Sequence, residues 1–288
     1  LLAVVPAAVL LFAQGYLDGR PAGPTRRFYG LFLLLVGAMA VVVMAADWVL
    51  FLFAWEIMTL ASYFLVIWDW GEERNARSAW VYLLTTHVAS SGMLIAMCSL
   101  SVIAGDFSFA ATAAALTGLF ARLPAFAHLL VGCFVLGFIT KAAVWPFSFW
   151  LPEAYRSAPM PATAVYSGLM AKMGIYGLVR VLIGMLPAGG QPALIWGLIV
   201  ATLGTASMLV GNIRSLSELD AKRLVAQSSI GQIGYIVLGV GMAAALSGRA
   251  PLLAAVAFAG ALYHLINHAT FKPLLFLTVG SVEHYSGT

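Results

Sequence analysis

FITKAAVWPFSFWLPEAYRSAPMPATAVYSGLMAKMGIYGLVR, residues 138–180, decides how this chain is read. Lys141 and Lys172 lie inside two apolar runs, joined by a connection that holds Pro146, Pro152, Pro159 and Pro161. A lysine at mid-bilayer depth costs roughly 2.5–3.5 kcal/mol on insertion scales. Two of them flanking an interrupted helix point to a charge pathway. Proline removes a backbone donor and clashes with the preceding turn. A broken helix is tolerable at membrane depth only beside protein or water. Lys141 is therefore expected to face a hydrated cavity. A lysine side chain of ~6 Å does not reach the membrane surface from there at about 1.5 Å per residue. The same length argument holds for Lys172. Arg180 is eight residues further on, nearer the segment end, where snorkelling to the surface is the competing reading.

The rest of the chain supports a membrane reading. Of 288 residues, 62% are hydrophobic and only 9% are charged, against about 25% in soluble domains. The apolar runs are long and do not alternate, so the expected fold is an all-α polytopic transmembrane helix bundle, not a barrel. Nine segments are expected near 1–17, 28–46, 48–69, 79–104, 126–150, 161–186, 193–213, 223–246 and 251–280. The first lacks a basic region and a small-residue cleavage site, so it reads as a transmembrane helix and not a signal peptide. Both ends read as interrupted, and a longer protein is expected.

Loop charges set the orientation. Arg20, Arg26, Arg27, Arg74, Arg77, Arg156, Arg214, Lys222 and Arg223 follow odd-numbered segments; Arg122 and Arg249 follow even-numbered ones. That bias places the loops after segments 1, 3, 5 and 7 in the cytoplasm, with the chain multi-pass in the cell inner membrane. The net charge of +4 is thus a topology signal and not a nucleic-acid one. Cys98 and Cys133 have no CxxC or Cys/His spacing and read as packing residues. No metal site or cofactor is expected.

Other polar groups lie within the segments. Glu56 is central in the third and must be protonated, paired or hydrated. His264, His268 and Lys272 are four apart and share one helical face. Pro273 follows directly and predicts a second helix break. Histidine exchanges protons near neutral pH, so this face is a candidate proton wire; two satisfied core histidines are the alternative. His87, among Thr85, Thr86, Ser90 and Ser91, reads equally as a relay or as helix packing. Gln227, Ser228, Ser229 and Gln232 are open to the same two readings.

Residues 141–180 resemble the signature of antiporter-like proton-channel subunits found in respiratory complex I, Mrp-type cation/proton antiporters and energy-converting membrane hydrogenases. AWEIMTLASYFL (54–65), SLSELDAKRLVAQSSIGQIGYIVLGVG (215–241) and HLINHATFKPLLFLTVGSVEH (264–284) resemble three further blocks of that family, in order. The resemblance runs from about residue 30 to 285. It implies inverted five-helix repeats, with residues 1–27 preceding them, 28–186 forming the first repeat and 193–288 an incomplete second. It implies a parent of about fourteen helices. It also implies that Glu56 pairs with Lys141, that Lys172 bridges onward, and that His264, His268 and Lys272 lie on the central polar axis. His87 and Arg180 remain possible additions. RSAWVYL (77–83) and THVASSG (86–92) resemble the hydrogenase and formate-hydrogenlyase branch, while QSSIGQIGYI (227–236) resembles the complex I and Mrp subunits more.

The implied function is proton translocation in a redox-driven complex, beside other membrane subunits of a respiratory or hydrogenase-like assembly. Opening of the Glu56–Lys141 pair would let the lysine hand its proton to Lys172. The alternative is an Mrp-type Na⁺/H⁺ antiporter subunit without redox chemistry. A scaffold that only docks a catalytic complex has no need of these charges.

Overall fold

The computed structural model describes residues 1–68 and 72–286, which form helices and turns. Each of the nine apolar segments expected from the sequence contains a helix. In order, α1 is Val4–Tyr16, α2 Ala22–Met44, α3 Trp48–Val66, α4 Glu73–Ala104, α5 Phe109–Arg122 and α6 Pro124–Lys141. Short α7, Leu151–Ser157, precedes α8, Met160–Val165. A π-helical turn, Tyr166–Met170, joins α8 to α9, Ala171–Leu182, without interruption. Then follow α10, Gln191–Leu216, α11, Ala221–Leu246, and α12, Pro251–Ser286. Seven helices among the described residues are long and apolar enough to cross a membrane: α2, α3, α4, α6, α10, α11 and α12. The third segment was expected to reach Asp69, which lies outside the described residues.

Local chemistry explains the boundaries. Asp47 caps α3 by accepting from Leu50 N–H at 2.9 Å, and Asp220 caps α11 through Arg223 N–H at 3.0 Å. α4 ends at Gly105, whose φ of 69° is readily adopted only without a Cβ. α10 and α11 pack along facing glycines. A Cβ at Gly204 would come within 2.5 Å of the Leu238 backbone nitrogen, so the small residue is what allows that approach.

α5 was not anticipated. Its 14 residues rise about 21 Å, too short to span the hydrocarbon core. It lies against α4 and α6, and Thr112 accepts from the Trp48 indole at 2.9 Å, which ties it to the start of α3.

The fifth segment is broken as the sequence predicts. α6 stops at Lys141, and turns fill residues 142–150, with Ala143 at a φ of 57°. Backbone groups freed there are satisfied by other elements. Trp145 N–H donates to Ser207 Oγ of α10 at 2.5 Å, and the Trp150 indole donates to Thr140 O at 3.1 Å. The second predicted break, at Pro273, does not occur. α12 runs unbroken for 36 residues with Pro273 inside it. Membrane helices tolerate an interior proline where neighbouring elements compensate. Here the ring is buried against Gly168 of the π turn, where a Cβ would come within 2.5 Å of Pro273 Cγ.

Loop ends sort into two sets, as alternating spans require. Asp47 bridges Ser108, and Gly189 packs on Gly248, joining the connections after even-numbered segments. At the other end, Arg156 pairs with Asp220 at 2.8 Å and Arg223 with Glu153 and Glu218 at 3.3 and 3.1 Å. Lys222 there pairs with Glu283 at 3.1 Å.

Candidate functional site

Two buried amine sites lie inside the bundle. The first is built where α6 breaks. Lys141, its last residue, is 1% exposed. Its ammonium donates to Thr59 Oγ1 at 2.9 Å and Tyr82 OH at 2.8 Å, and it lies 5.1 Å from the centre of the Tyr82 ring and 5.8 Å from that of Trp55. Glu56 and Thr59 are three residues apart on α3, so they share a face. Glu56 nevertheless does not pair with Lys141. Its Oε2 lies 3.3 Å from His87 Nε2 of α4, an ion-pair distance without hydrogen-bond alignment. These two side chains are 35% and 44% exposed, on the rim of the bundle, while Lys141 points inward to hydroxyls. The structure thus differs from the expected Glu56–Lys141 contact: the amine prefers the fully buried acceptors that α3 and α4 place beside the helix break.

The second site lies between the π turn, α11 and α12. A π turn displaces the regular carbonyl-to-amide ladder and is frequent at functional sites. Here Lys172 Nζ donates to Ser167 O, a carbonyl of that turn, and contacts His268 Nδ1. Both Lys172 and His268 are buried. Ser167 Oγ bonds Ser229 Oγ of α11 at 3.1 Å. Lys272, 1% exposed, donates to Val225 O of α11 at 3.1 Å. The His264 ring centre is 6.3 Å from that of His268 and 5.7 Å from that of Tyr235. His268 Nε2, His264 Nε2 and Gln227 Oε1 are buried without a hydrogen-bond partner among the described residues. Buried polar atoms are normally satisfied by protein or water, so this face suits a hydrated axis.

Ser62 of α3 links the two sites. Its hydroxyl lies 2.5 Å from Tyr82 OH, the Lys141 acceptor. Its carbonyl accepts from Tyr166 OH at 2.9 Å, and Tyr166 opens the π turn that holds Lys172. Sequence reasoning missed Thr59, Ser62, Tyr82, Tyr166 and Ser167. The three-residue spacing of Glu56, Thr59 and Ser62 was a readable signal for the first two. Nothing local marks a tyrosine on α4 or on the π turn.

Arg180 lies away from both amines. It donates to Tyr176 OH at 2.8 Å, and its guanidinium stacks 4.6 Å from the Phe109 ring centre of α5. Tyr176 in turn donates to Val43 O at 3.1 Å, so the pair ties α9 to α2 and α5. Among the described residues, no group of three or more His, Cys, Asp or Glu side chains is placed to hold a metal ion.

The family described as "NADH:quinone oxidoreductase/Mrp antiporter, TM" matches residues 45–287. Hydrogenase-4 component B of Escherichia coli is 37% identical over 98% of this chain and 41% of its own length. F(420)H(2) dehydrogenase subunit M of Methanosarcina mazei is 32% identical over 91% of this chain and 51% of its own. Among solved structures, the membrane-bound sulfane sulfur reductase, an archaeal respiratory membrane complex, contains a chain that is 28% identical with a TM-score of 0.81. It matches over 98% of this chain and 44% of that one. The chain therefore spans about half, or less, of the length of the relatives it matches.

Proposed function

This chain belongs to the NADH:quinone oxidoreductase/Mrp antiporter transmembrane family, and from that premise we propose that it carries protons through the membrane part of a redox-driven complex. The observation that carries this reading is the set of three buried lysines, Lys141, Lys172 and Lys272, each placed on an oxygen acceptor inside the bundle. Burying such cations without function is costly.

Lys141 holds its proton on Thr59 and Tyr82. Lys172 and His268 can share one proton: the lysine donates to Nδ1 when charged, and the imidazole returns the proton from Nδ1 when the amine is neutral. The His264 ring is next on the same face, its centre 6.3 Å from that of His268. The loops carrying Arg20, Arg26, Arg27, Arg74, Arg77, Arg156, Arg214, Lys222 and Arg223 lie on the cytoplasmic side in this reading. The likeness to hydrogenase-4 component B and F(420)H(2) dehydrogenase subunit M favours redox-active partner subunits. A second reading, cation/proton antiport without redox chemistry, is favoured by the Mrp members of the same family.

Affinity purification of the tagged full-length subunit in mild detergent, with mass spectrometry of its companions, separates the two. Subunits bearing nickel, flavin or iron–sulfur sites support redox-driven translocation. Small hydrophobic antiporter subunits alone would replace it with antiport.

A further inference from the structure

α4 is longer than a bilayer requires. Its 32 residues rise about 48 Å, against roughly 30 Å of hydrocarbon core. Its Glu and Arg residues, Glu73, Arg74 and Arg77, all lie at its start, so the excess length falls at that end, at headgroup depth. A cleft of about 320 Å³ opens there beside the turns where α6 breaks. Arg74, Arg77 and Val81 line it from α4, and Phe149, Trp150 and Glu153 line it from the break and α7. The acid among them is already committed: Glu153 Oε1 pairs with Arg223 of α11 at 3.3 Å. Ser78, also in the wall, donates to Arg74 O at 3.0 Å. Arg74 and Arg77 are exposed and form no ion pair among the described residues, although Glu72 and Glu73 stand beside them in the chain. Phe149 is 57% exposed between the buried Ser148 and Trp150. The cleft thus joins two unneutralised guanidinium groups to an apolar wall at the membrane boundary.

We propose that this cleft seats an anionic phospholipid of the leaflet on that side, its phosphate on Arg74 and Arg77 and the start of an acyl chain along Val81 and Phe149. The planar fork of arginine suits phosphate oxygens and stays charged at any working pH. Basic pockets between membrane helices recognise anionic headgroups in this way. Trp80, exposed one turn beyond Arg77 on α4, marks the same interfacial depth. Charge alone would serve a free phosphate equally well; the exposed Phe149 and Val81 would not, and they select the lipid. Trp150, in the same wall, donates to Thr140 O at 3.1 Å and packs 4.9 Å from the Tyr82 ring. The seated lipid therefore braces the turns of residues 142–150 against α4, next to the first amine site. This inference needs only the membrane placement of the chain and not the ion it moves.

The test uses the complex carrying the full-length subunit, purified in mild detergent and placed in nanodiscs of phosphatidylcholine, alone or mixed with phosphatidylglycerol. Native mass spectrometry of the released complex reads the phosphatidylglycerol retained, and thermal unfolding reads its effect on stability. The wild type should retain the lipid and unfold at a higher midpoint with it. Arg74→Gln combined with Arg77→Gln should weaken retention roughly thirtyfold and remove most of that rise. Arg74→Lys combined with Arg77→Lys keeps the charge without the fork, and should fall between the two. Phe149→Ser keeps both arginines and should also weaken retention. Equal retention by the wild type and the glutamine variant would overturn the proposal. So would a rise produced equally by inorganic phosphate, with Phe149→Ser behaving as wild type, which marks a free-anion site. Loss of a companion subunit from the glutamine variant, with lipid retention unchanged, would mark the arginines as a protein contact and overturn it too. A variant whose midpoint already differs from wild type in phosphatidylcholine alone is judged on retention.

Discussion

The two amine sites place the same chemical group in the same bundle by different means. At the first, a helix ends, and its terminal Lys141 is received by side-chain hydroxyls from two neighbouring helices, with a carboxylate and an imidazole close by. At the second, the helix continues. A π turn offers a backbone carbonyl to Lys172, and the neighbours are His268, His264 and Lys272. Among the described residues, no carboxylate pairs with any of these four. The first site therefore has a carboxylate and an imidazole beside it, on the rim of the bundle. At the second the neighbours are bases, and His268 Nε2, His264 Nε2 and Gln227 Oε1 are buried without a hydrogen-bond partner among the described residues. The difference teaches that a buried amine can be received by side-chain hydroxyls of neighbouring helices at a helix end, or by a backbone carbonyl that a π turn leaves free.

The comparison breaks first on the lysines themselves. Lys141→Ala and Lys172→Ala should each reduce proton translocation by the full-length complex at least tenfold, measured with a pH-sensitive dye in vesicles. If only one does, the sites are not in series.

Gly168→Ala should separate the sites. Its Cβ would fall within 2.5 Å of Pro273 Cγ, so α12 must move from the π turn that holds Lys172. Overpacking of this kind costs about 1–3 kcal/mol. The expected outcome is a lower thermal midpoint with translocation lost through the second site. A midpoint equal to wild type would mean that α12 is looser against the π turn than the structure shows.

The missing counter-ion gives a prediction of sign. Lys272→Met replaces a buried cation by an apolar chain of similar length, so the thermal midpoint should stay level or rise. A clear fall would reveal an anionic partner for Lys272 in the assembled protein.

The smallest effect concerns the helix that carries the first site. Asp47→Ala removes the cap of α3 and should destabilise by about 1 kcal/mol, with translocation per assembled complex unchanged. Denaturation followed by circular dichroism would read it.

Much of this was legible before any coordinates. Hydrophobic run length alone dictates a helical membrane protein, because backbone groups in lipid must be satisfied within the segment. Loop arginines set the alternation of ends, and the prolines after Lys141 foretold the break in α6. The candidate residues stood out because an ionisable group in an apolar run has no other cheap explanation. What stayed hidden depended on which helix faces which. Pro273 reads locally as a breaker, yet Gly168 packs against its ring and α12 continues. Glu56 and Lys141 read as a pair, yet the rotation of α3 and α4 gives Glu56 to His87 and gives Lys141 to Thr59 and Tyr82. Serine, threonine and tyrosine are ordinary in membrane helices, so no pattern singled out Ser62 or Tyr166 as the link between sites. The sequence by itself determined the class, the long apolar segments and the identity of the three buried lysines, since these follow from composition and period along one chain. Only the tertiary structure decided the partners, because hydrogen bonds form across helices whose relative rotation and depth are set by packing between residues far apart in sequence.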